Sequence, residues 1–79
     1  MRLTEKDKRT FQKVVDFMER MDGNGVYYTI LEDLETVKPK QIILEILEIF
    51  TRWKIDLHSV SDPKYKAICK FEFDLISML

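Results

Sequence analysis

The spacing of apolar residues changes near Trp53, and this change constrains the fold more than any other feature of the sequence. Before Trp53, apolar residues recur every three or four positions, which is the period of one face of an α-helix. After Trp53 they alternate with polar residues, which is typical of a half-buried β-strand. A chain that switches period in this way predicts helices followed by a sheet, so we expect an α+β fold.

The first predicted helix spans about 4–22. Thr4 and Asp7 have the spacing of a capping box, in which each side chain binds the backbone N–H of the other residue. The turn Asp22-Gly23-Asn24-Gly25 is expected to end the helix, because Gly and Asn tolerate the left-handed conformation of a C-cap.

Two further helices are predicted before the change of period. The second is short, at about 28–35, and an extended stub at 25–27 precedes it. The third runs from about Pro39 to Trp53, because proline suits the first turn of a helix. Apolar residues cover more than half of its circumference, so it is expected to be central in the core or shared with a partner chain.

The alternating segment predicts a two-stranded antiparallel β-hairpin with its turn at Ser61-Asp62-Pro63-Lys64. If the apolar sides of the strands face together, Leu57 pairs with Cys69 and Ile55 with Phe71. The same register places Asp56 opposite Lys70, a favourable pair of opposite charges. This register predicts that the Cys69 thiol is buried.

A chain of 79 residues allows one domain, 1–79, with one small core. The predicted core residues come from every element: Phe11, Val14, Met18, Leu31, Ile43, Leu47, Phe50, Leu57 and Phe71. Residues 75–79 form a tail that is apolar apart from Ser77, which is unusual for a solvated terminus. The sequence therefore offers more large apolar side chains than so small a core is expected to absorb.

The composition excludes most chemistry. One Cys and one His leave no disulfide framework and no metal site built on several such ligands. On the predicted strand Asp56 and His58 share one face while Ser59 points to the other, so these residues cannot form a catalytic triad. We expect no enzymatic activity, no metal, no cofactor and no small-molecule substrate.

The sequence predicts a cytoplasmic location. Charged residues follow Met1 where a secretory signal would place an apolar stretch, and no segment reaches the roughly 18 apolar residues of a membrane helix. The single Cys69 suits a reducing compartment. We therefore expect no contact with a membrane.

The predicted order of elements over about 4–74 resembles that of the winged helix-turn-helix superfamily. The resemblance implies that helix two, Val37-Lys38-Pro39 and helix three form the helix-turn-helix, and that Asp62-Pro63-Lys64 is the tip of the wing. The stub near Val26 would be the small first strand. Members of the superfamily usually bind duplex DNA through the third helix and the wing. The implied contacts with DNA phosphates are Lys38, Lys40, Lys64 and Lys66.

The sequence leaves two functions open. The first is an accessory or regulatory module that docks on a protein partner or on a second copy as a homodimer, through helix three and the apolar tail. Its candidate contact residues are Glu45, Glu48, Arg52, Trp53, Leu75, Ile76 and Leu79. The alternative is a winged helix-turn-helix transcription regulator that binds DNA. A net charge of −1 favours the first, because acidic residues on helix three would repel DNA but attract a basic partner.

Overall fold

The computed structural model describes residues 3–23, 27–33 and 38–79. Within these ranges the chain forms four α-helices: α1 (Glu5–Asp22), α2 (Tyr27–Asp33), α3 (Pro39–Leu57) and α4 (Pro63–Ser77). The same ranges contain no β-strand, so the fold class is all-α. The prediction of an α+β, winged-helix-like domain that ends in a two-stranded hairpin is therefore wrong.

The first helix forms where its capping signals predict it. The Asp7 N–H donates to Thr4 Oγ1 at 3.1 Å, and the Thr4 N–H donates to Asp7 Oδ2 at 3.2 Å, which completes the capping box. Gly23 ends the helix with a left-handed φ of 72°, and its N–H donates to the Glu19 carbonyl at 2.6 Å. The apolar stripe of α1 is fully buried: Phe11, Val14, Val15 and Met18.

The second and third helices begin close to their predicted positions. α2 starts at Tyr27, so the end of the expected stub is helical, while 25–26 and the last two residues of the expected helix, 34–35, lie outside the described residues. α2 packs against α1. α3 starts at Pro39, as predicted, but it continues four residues beyond Trp53. The expected junction between helix and strand is therefore inside a helix.

The first predicted strand is the last turn of α3. His58 has a left-handed φ of 57° and takes the chain out of the helix, a role that more often falls to glycine. Ile55 and Asp56 are exposed helical residues, and Leu57 is a half-buried one. The predicted cross-strand pairs of these three residues are therefore wrong.

The second predicted strand is α4, and the Asp62-Pro63 sequence starts it. Asp62 Oδ1 accepts a hydrogen bond from the Lys64 N–H at 2.8 Å, which makes Asp62 the N-cap. Pro63 occupies the first turn, where no backbone donor is required. Ile68 and Leu75, one helical repeat of seven residues apart, are fully buried, whereas Cys69 is exposed. The predicted burial of the Cys69 thiol is wrong.

The apolar tail expected at 75–79 belongs to α4 and its cap. Residues 75–77 form the last turn of the helix, and Met78 is its C-cap. Leu75 and Met78 are buried, whereas Ile76 and Leu79 are exposed. The end of the chain therefore divides its apolar side chains between the core and the surface.

The chain divides into two compact units, residues 1–42 and residues 43–79. The first unit contains α1, α2 and the first turn of α3. The second contains the rest of α3 and α4, which the short loop 58–62 joins as a helical hairpin. An ion pair between Lys54 Nζ and Glu72 Oε1 at 2.7 Å connects α3 and α4.

The predicted core is partly confirmed. Five of its residues are buried: Phe11, Val14, Met18, Ile43 and Phe50. Leu47, Leu57 and Phe71 are half-buried, and the Leu31 side chain lies outside the described part of the chain. Residues that the prediction omitted are also buried: Val15, Phe17, Tyr27, Ile42, Ile46, Ile68, Leu75 and Met78.

Candidate interaction surface

The α4 helix exposes a second apolar face. The Phe73 side chain is 73% exposed and Ile76 is 57% exposed, and the Cys69 thiol is also exposed. These residues are spaced by four and three positions, so they lie on one face of the helix. Ile68 and Leu75 are fully buried on a neighbouring face. α4 therefore has one apolar face in the core and another in solvent.

The α3 helix also exposes a second apolar face. Leu44 and Ile55 are 49% and 65% exposed, and eleven residues, or about three helical turns, separate them. The exposed Thr51 and the half-buried Leu47 lie between them on the same face. The core face of α3 within this unit carries other residues: Ile43, Ile46 and Phe50.

The Lys54–Glu72 ion pair shows that these two exposed faces lie on the same side of the hairpin. Lys54 and Glu72 lie at the seam, where the two helices meet. On each helix, the residues one turn away from the paired residue are either buried or exposed. On α3, Phe50 is buried and Thr51 is exposed. On α4, the residues three before and four after Glu72 are exposed, whereas those four before and three after it are buried.

The outward neighbours therefore flank the seam together. We call this surface the outer face, and it consists of Leu44, Leu47, Thr51, Ile55, Cys69, Phe73 and Ile76.

The ion pair neutralises two charges at the seam of the outer face. The side chains of Lys54 and Glu72 are 24% and 16% exposed, so both are partly removed from water. The hydrogen bond to Glu72 raises the pKa of Lys54 above its usual value of 10.5. Lys54 Nζ also lies 6.0 Å from the centre of the Tyr65 ring. A partner that covers the outer face therefore meets no unpaired charge at its centre.

We predict that removal of either charge of the Lys54–Glu72 pair destabilises the folded protein, because the remaining charge is then partly buried and unpaired. Glu72→Gln should lower the free energy of unfolding by about 1–2 kcal/mol, since it leaves a partly buried ammonium unpaired. The double variant Lys54→Met/Glu72→Leu should recover most of that loss, because two apolar side chains need no counter-charge. Urea denaturation at neutral pH measures all three proteins.

The pH dependence of stability provides the control. The pKa of Lys54 is raised in the folded state, so its contribution is fully present below pH 10.5 and is lost as the pH rises through the higher folded value. The double variant Lys54→Met/Glu72→Leu should lack this part of the loss of stability at alkaline pH. Lys8→Met breaks an ion pair of 3.7 Å whose side chains are 60% and 84% exposed, so it should have little effect. An equal effect of Lys8→Met and Glu72→Gln would contradict the prediction.

The structure places the predicted protein-contact residues in different environments. Glu45, Glu48 and Arg52 are exposed on α3, and Glu48 borders the outer face one turn after Leu44. Trp53 is half-buried, with its ring centre 5.7 Å from that of Phe50 and a tilt of 46°. Leu75 is fully buried in α4, and its side chain belongs to the core. Ile76 and Leu79 are exposed.

Sequence reasoning did not assign Leu44, Ile55, Cys69 or Phe73 to this surface. The helical period of α4 was the signal that could have found Cys69 and Phe73, because it places both beside Ile76.

The lysines proposed for DNA contact are all exposed: Lys38, Lys40, Lys64 and Lys66. The first two lie at the start of α3 in the first unit, and the other two lie in the first turn of α4 in the second unit. No β-hairpin carries Lys64 and Lys66, so the wing assigned to Asp62-Pro63-Lys64 is incorrect. The DNA hypothesis therefore loses one of the two elements on which it depended.

A polar cluster connects α1 and α2. Asp16 Oδ1 accepts hydrogen bonds from Gln12 Nε2 at 2.9 Å and from the Tyr28 hydroxyl at 3.0 Å. The hydrogen bond to this carboxylate raises the pKa of Tyr28, because ionisation of the phenol would break it. The hydrogen bond between Tyr28 and Asp16 connects α2 to α1, so we interpret this cluster as structural.

Asp56, His58 and Ser59 lie at the junction of α3 and the loop that follows it. Asp56 is exposed in the last turn of α3, and His58 is exposed in the loop. Ser59 Oγ lies 2.9 Å from Ser61 Oγ. Within the described ranges, no three His, Cys, Asp or Glu side chains are grouped closely enough to hold a metal ion.

None of the described helices combines the length and the apolar composition that a membrane span needs. The chain matches no protein-family model, no curated protein and no solved structure.

Proposed function

We propose that this protein is a non-catalytic accessory or regulatory module that docks on a helical protein surface through the outer face. The observation that carries the proposal is the exposure of Phe73, Ile76 and Ile55 on the helices whose other apolar side chains, among them Phe50, Ile68 and Leu75, are buried. Single exposed apolar residues are ordinary on protein surfaces, but a continuous apolar face is typical of an interaction site.

The gain from covering this face favours binding. Burial of one large apolar side chain contributes about 1.5–3 kcal/mol relative to exposure, and the outer face presents several. Phe73 is the most exposed of them and is the natural anchor, because aromatic residues dominate the binding energy of interfaces. A helix with an apolar stripe fits such a surface, since helix pairs pack with their side chains interdigitated.

The charges beside the outer face indicate the chemistry of the partner. Glu45 and Glu48 are exposed in the middle part of α3, so a helix with lysine or arginine beside its apolar stripe is favoured there. We further propose a cytoplasmic location for this function, because an exposed Cys69 thiol persists best in a reducing compartment.

Peptide binding tests the proposal. An amphipathic helical peptide with lysines beside a leucine stripe should bind the full chain, and the same peptide with glutamates in place of lysines should bind at least tenfold more weakly. Phe73→Ser should weaken binding of the lysine peptide at least tenfold, whereas Val60→Ser should not. Val60 is 71% exposed but lies in the loop between α3 and α4, so it is a matched control for apolar exposure. Fluorescence anisotropy of the labelled peptide measures each affinity.

Two outcomes would overturn the proposal. One is peptide binding that Phe73→Ser leaves unchanged. The other is tight duplex DNA binding that Lys64→Ala/Lys66→Ala abolishes and Phe73→Ser does not affect, since phosphate contacts would then dominate affinity.

A further inference from the structure

We infer that one face of α1 binds the phosphate backbone of duplex DNA. This inference goes beyond the proposed function, because it concerns a different surface, in the unit that contains α1. It follows from the distribution of charge around this helix, from the partners of the neighbouring carboxylates and from the polar character of the face.

Four cations form a stripe along α1. Their spacings are three, four and seven residues, so they lie on one side of a helix with 3.6 residues per turn. All four side chains are exposed, and the stripe is about 21 Å long, because its ends are 14 residues apart. We call this surface the basic stripe, and it consists of Lys6, Arg9, Lys13 and Arg20.

The carboxylates that border the basic stripe have other partners. Glu5 Oε1 lies 3.7 Å from the amine of Lys8, which is outside the stripe. Asp16 Oδ1 accepts hydrogen bonds from Gln12 and Tyr28. Among the residues that the structure describes, no ion pair joins the basic stripe to a carboxylate. Its four charges are therefore available to an anion in solution, although the net charge of the whole chain is −1.

The surroundings of the basic stripe favour a nucleic acid over an acidic protein. The exposed large apolar side chains of the described residues all lie outside α1, so a protein docked on the stripe would bury little apolar surface there. Exposed ion pairs alone contribute little to affinity. DNA phosphates, in contrast, release condensed counterions when the cations of a protein neutralise them, and this release drives non-specific binding.

The composition and length of the basic stripe favour a duplex over a single strand. The stripe consists of lysine and arginine alone, so it offers no aromatic ring on which unpaired bases could stack. A row of about 21 Å is longer than the major groove of B-form DNA is wide, at about 12 Å. Its two ends can therefore contact phosphates on both strands. Such contacts carry no sequence information, so we expect binding without sequence preference.

Titration of the full chain against a labelled DNA duplex of about 20 base pairs tests the inference, with fluorescence anisotropy as the readout. If four phosphates are neutralised, the slope of log affinity against log salt should be about −3.6. The affinity should then fall about a hundredfold between 50 and 200 mM salt. A second duplex of unrelated sequence should bind equally well.

Two matched double variants locate the contact, and circular dichroism first confirms that each is helical. Lys6→Gln/Lys13→Gln removes two exposed charges from the basic stripe, and Lys64→Gln/Lys66→Gln removes two exposed charges from α4. The first should reduce the slope to about −1.8, whereas the second should leave it near about −3.6. An equal or larger effect of the second variant would overturn the inference, because net charge or α4 would then account for binding.

A third variant, Arg9→Gln/Arg20→Gln, removes the other two charges of the basic stripe and should also reduce the slope to about −1.8. Phe73→Ser should leave DNA binding unchanged, so this inference and the proposed function are tested separately.

Three results would overturn the inference. The first is the absence of duplex binding at 50 mM salt. The second is tighter binding of single-stranded DNA of the same length. The third is binding of polyglutamate as tight as that of the duplex, because an acidic protein would then fit the basic stripe as well as a phosphate backbone does.

Discussion

Replacement of Ile68 by alanine is expected to lower the free energy of unfolding by about 2–5 kcal/mol, whereas Cys69→Ala changes it by less than about 0.5 kcal/mol. Ile68 is fully buried, so its truncation removes apolar contacts and leaves a cavity. Cys69 follows it directly in the sequence but is exposed. Urea denaturation at low micromolar concentration measures both variants.

The contrast between these neighbours also tests the secondary structure of α4. In a strand with Cys69 on the inner side, Ile68 would face solvent and the order of the two effects would be reversed. Equal effects of Ile68→Ala and Cys69→Ala on the free energy of unfolding would also contradict the helix, in which Ile68 is buried and Cys69 is exposed. Backbone chemical shifts over residues 63–77 provide the control, because they report helix or strand independently of stability.

The sequence predicts the fold well where several local signals specify the same element. α1 has a capping box at Thr4, an apolar stripe of helical period and a glycine at its C-cap, and each signal specifies the same helix. Pro39 likewise marks the start of α3. An element is predictable where its capping signals agree with its apolar period, because both then specify the same helix.

The error in α4 arose because its sequence fits two periods. Tyr65, Ala67, Cys69, Phe71 and Phe73 alternate as in a strand, but Tyr65, Ile68 and Leu75 also recur at helical spacing. Asp-Pro is equally compatible with a turn and with an N-cap followed by the first residue of a helix. Burial decides between these periods, and burial depends on neighbouring helices that local sequence does not reveal.

The candidate surface could be predicted only in part for the same reason. The exposure of Glu45 and Glu48 follows from the period of α3, and the apolar end of the chain drew attention to Ile76. Phe73, in contrast, falls on the inner side of the predicted strand because it alternates with Cys69 and Phe71, although it is 73% exposed in α4. Assembly of the outer face required both the phase of α4 and the extension of α3 to Ile55.

The second large effect is expected at Phe50. Phe50→Ala should lower the free energy of unfolding by about 3–5 kcal/mol, because the ring is fully buried and its removal leaves a large cavity. Phe50 also packs against Trp53 at 5.7 Å between ring centres, and a tilted aromatic pair contributes about 0.5–1.5 kcal/mol beyond its buried area. The fluorescence of Trp53, the one tryptophan of the chain, reports unfolding close to the substituted site in urea titrations.

Phe73→Ala is the matched control for this prediction, because it removes the same ring from a site that is 73% exposed. At low micromolar concentration it should change the free energy of unfolding of the monomer by less than about 0.5 kcal/mol. A loss at Phe73 as large as that at Phe50 at low concentration would contradict the division between the buried core and the outer face.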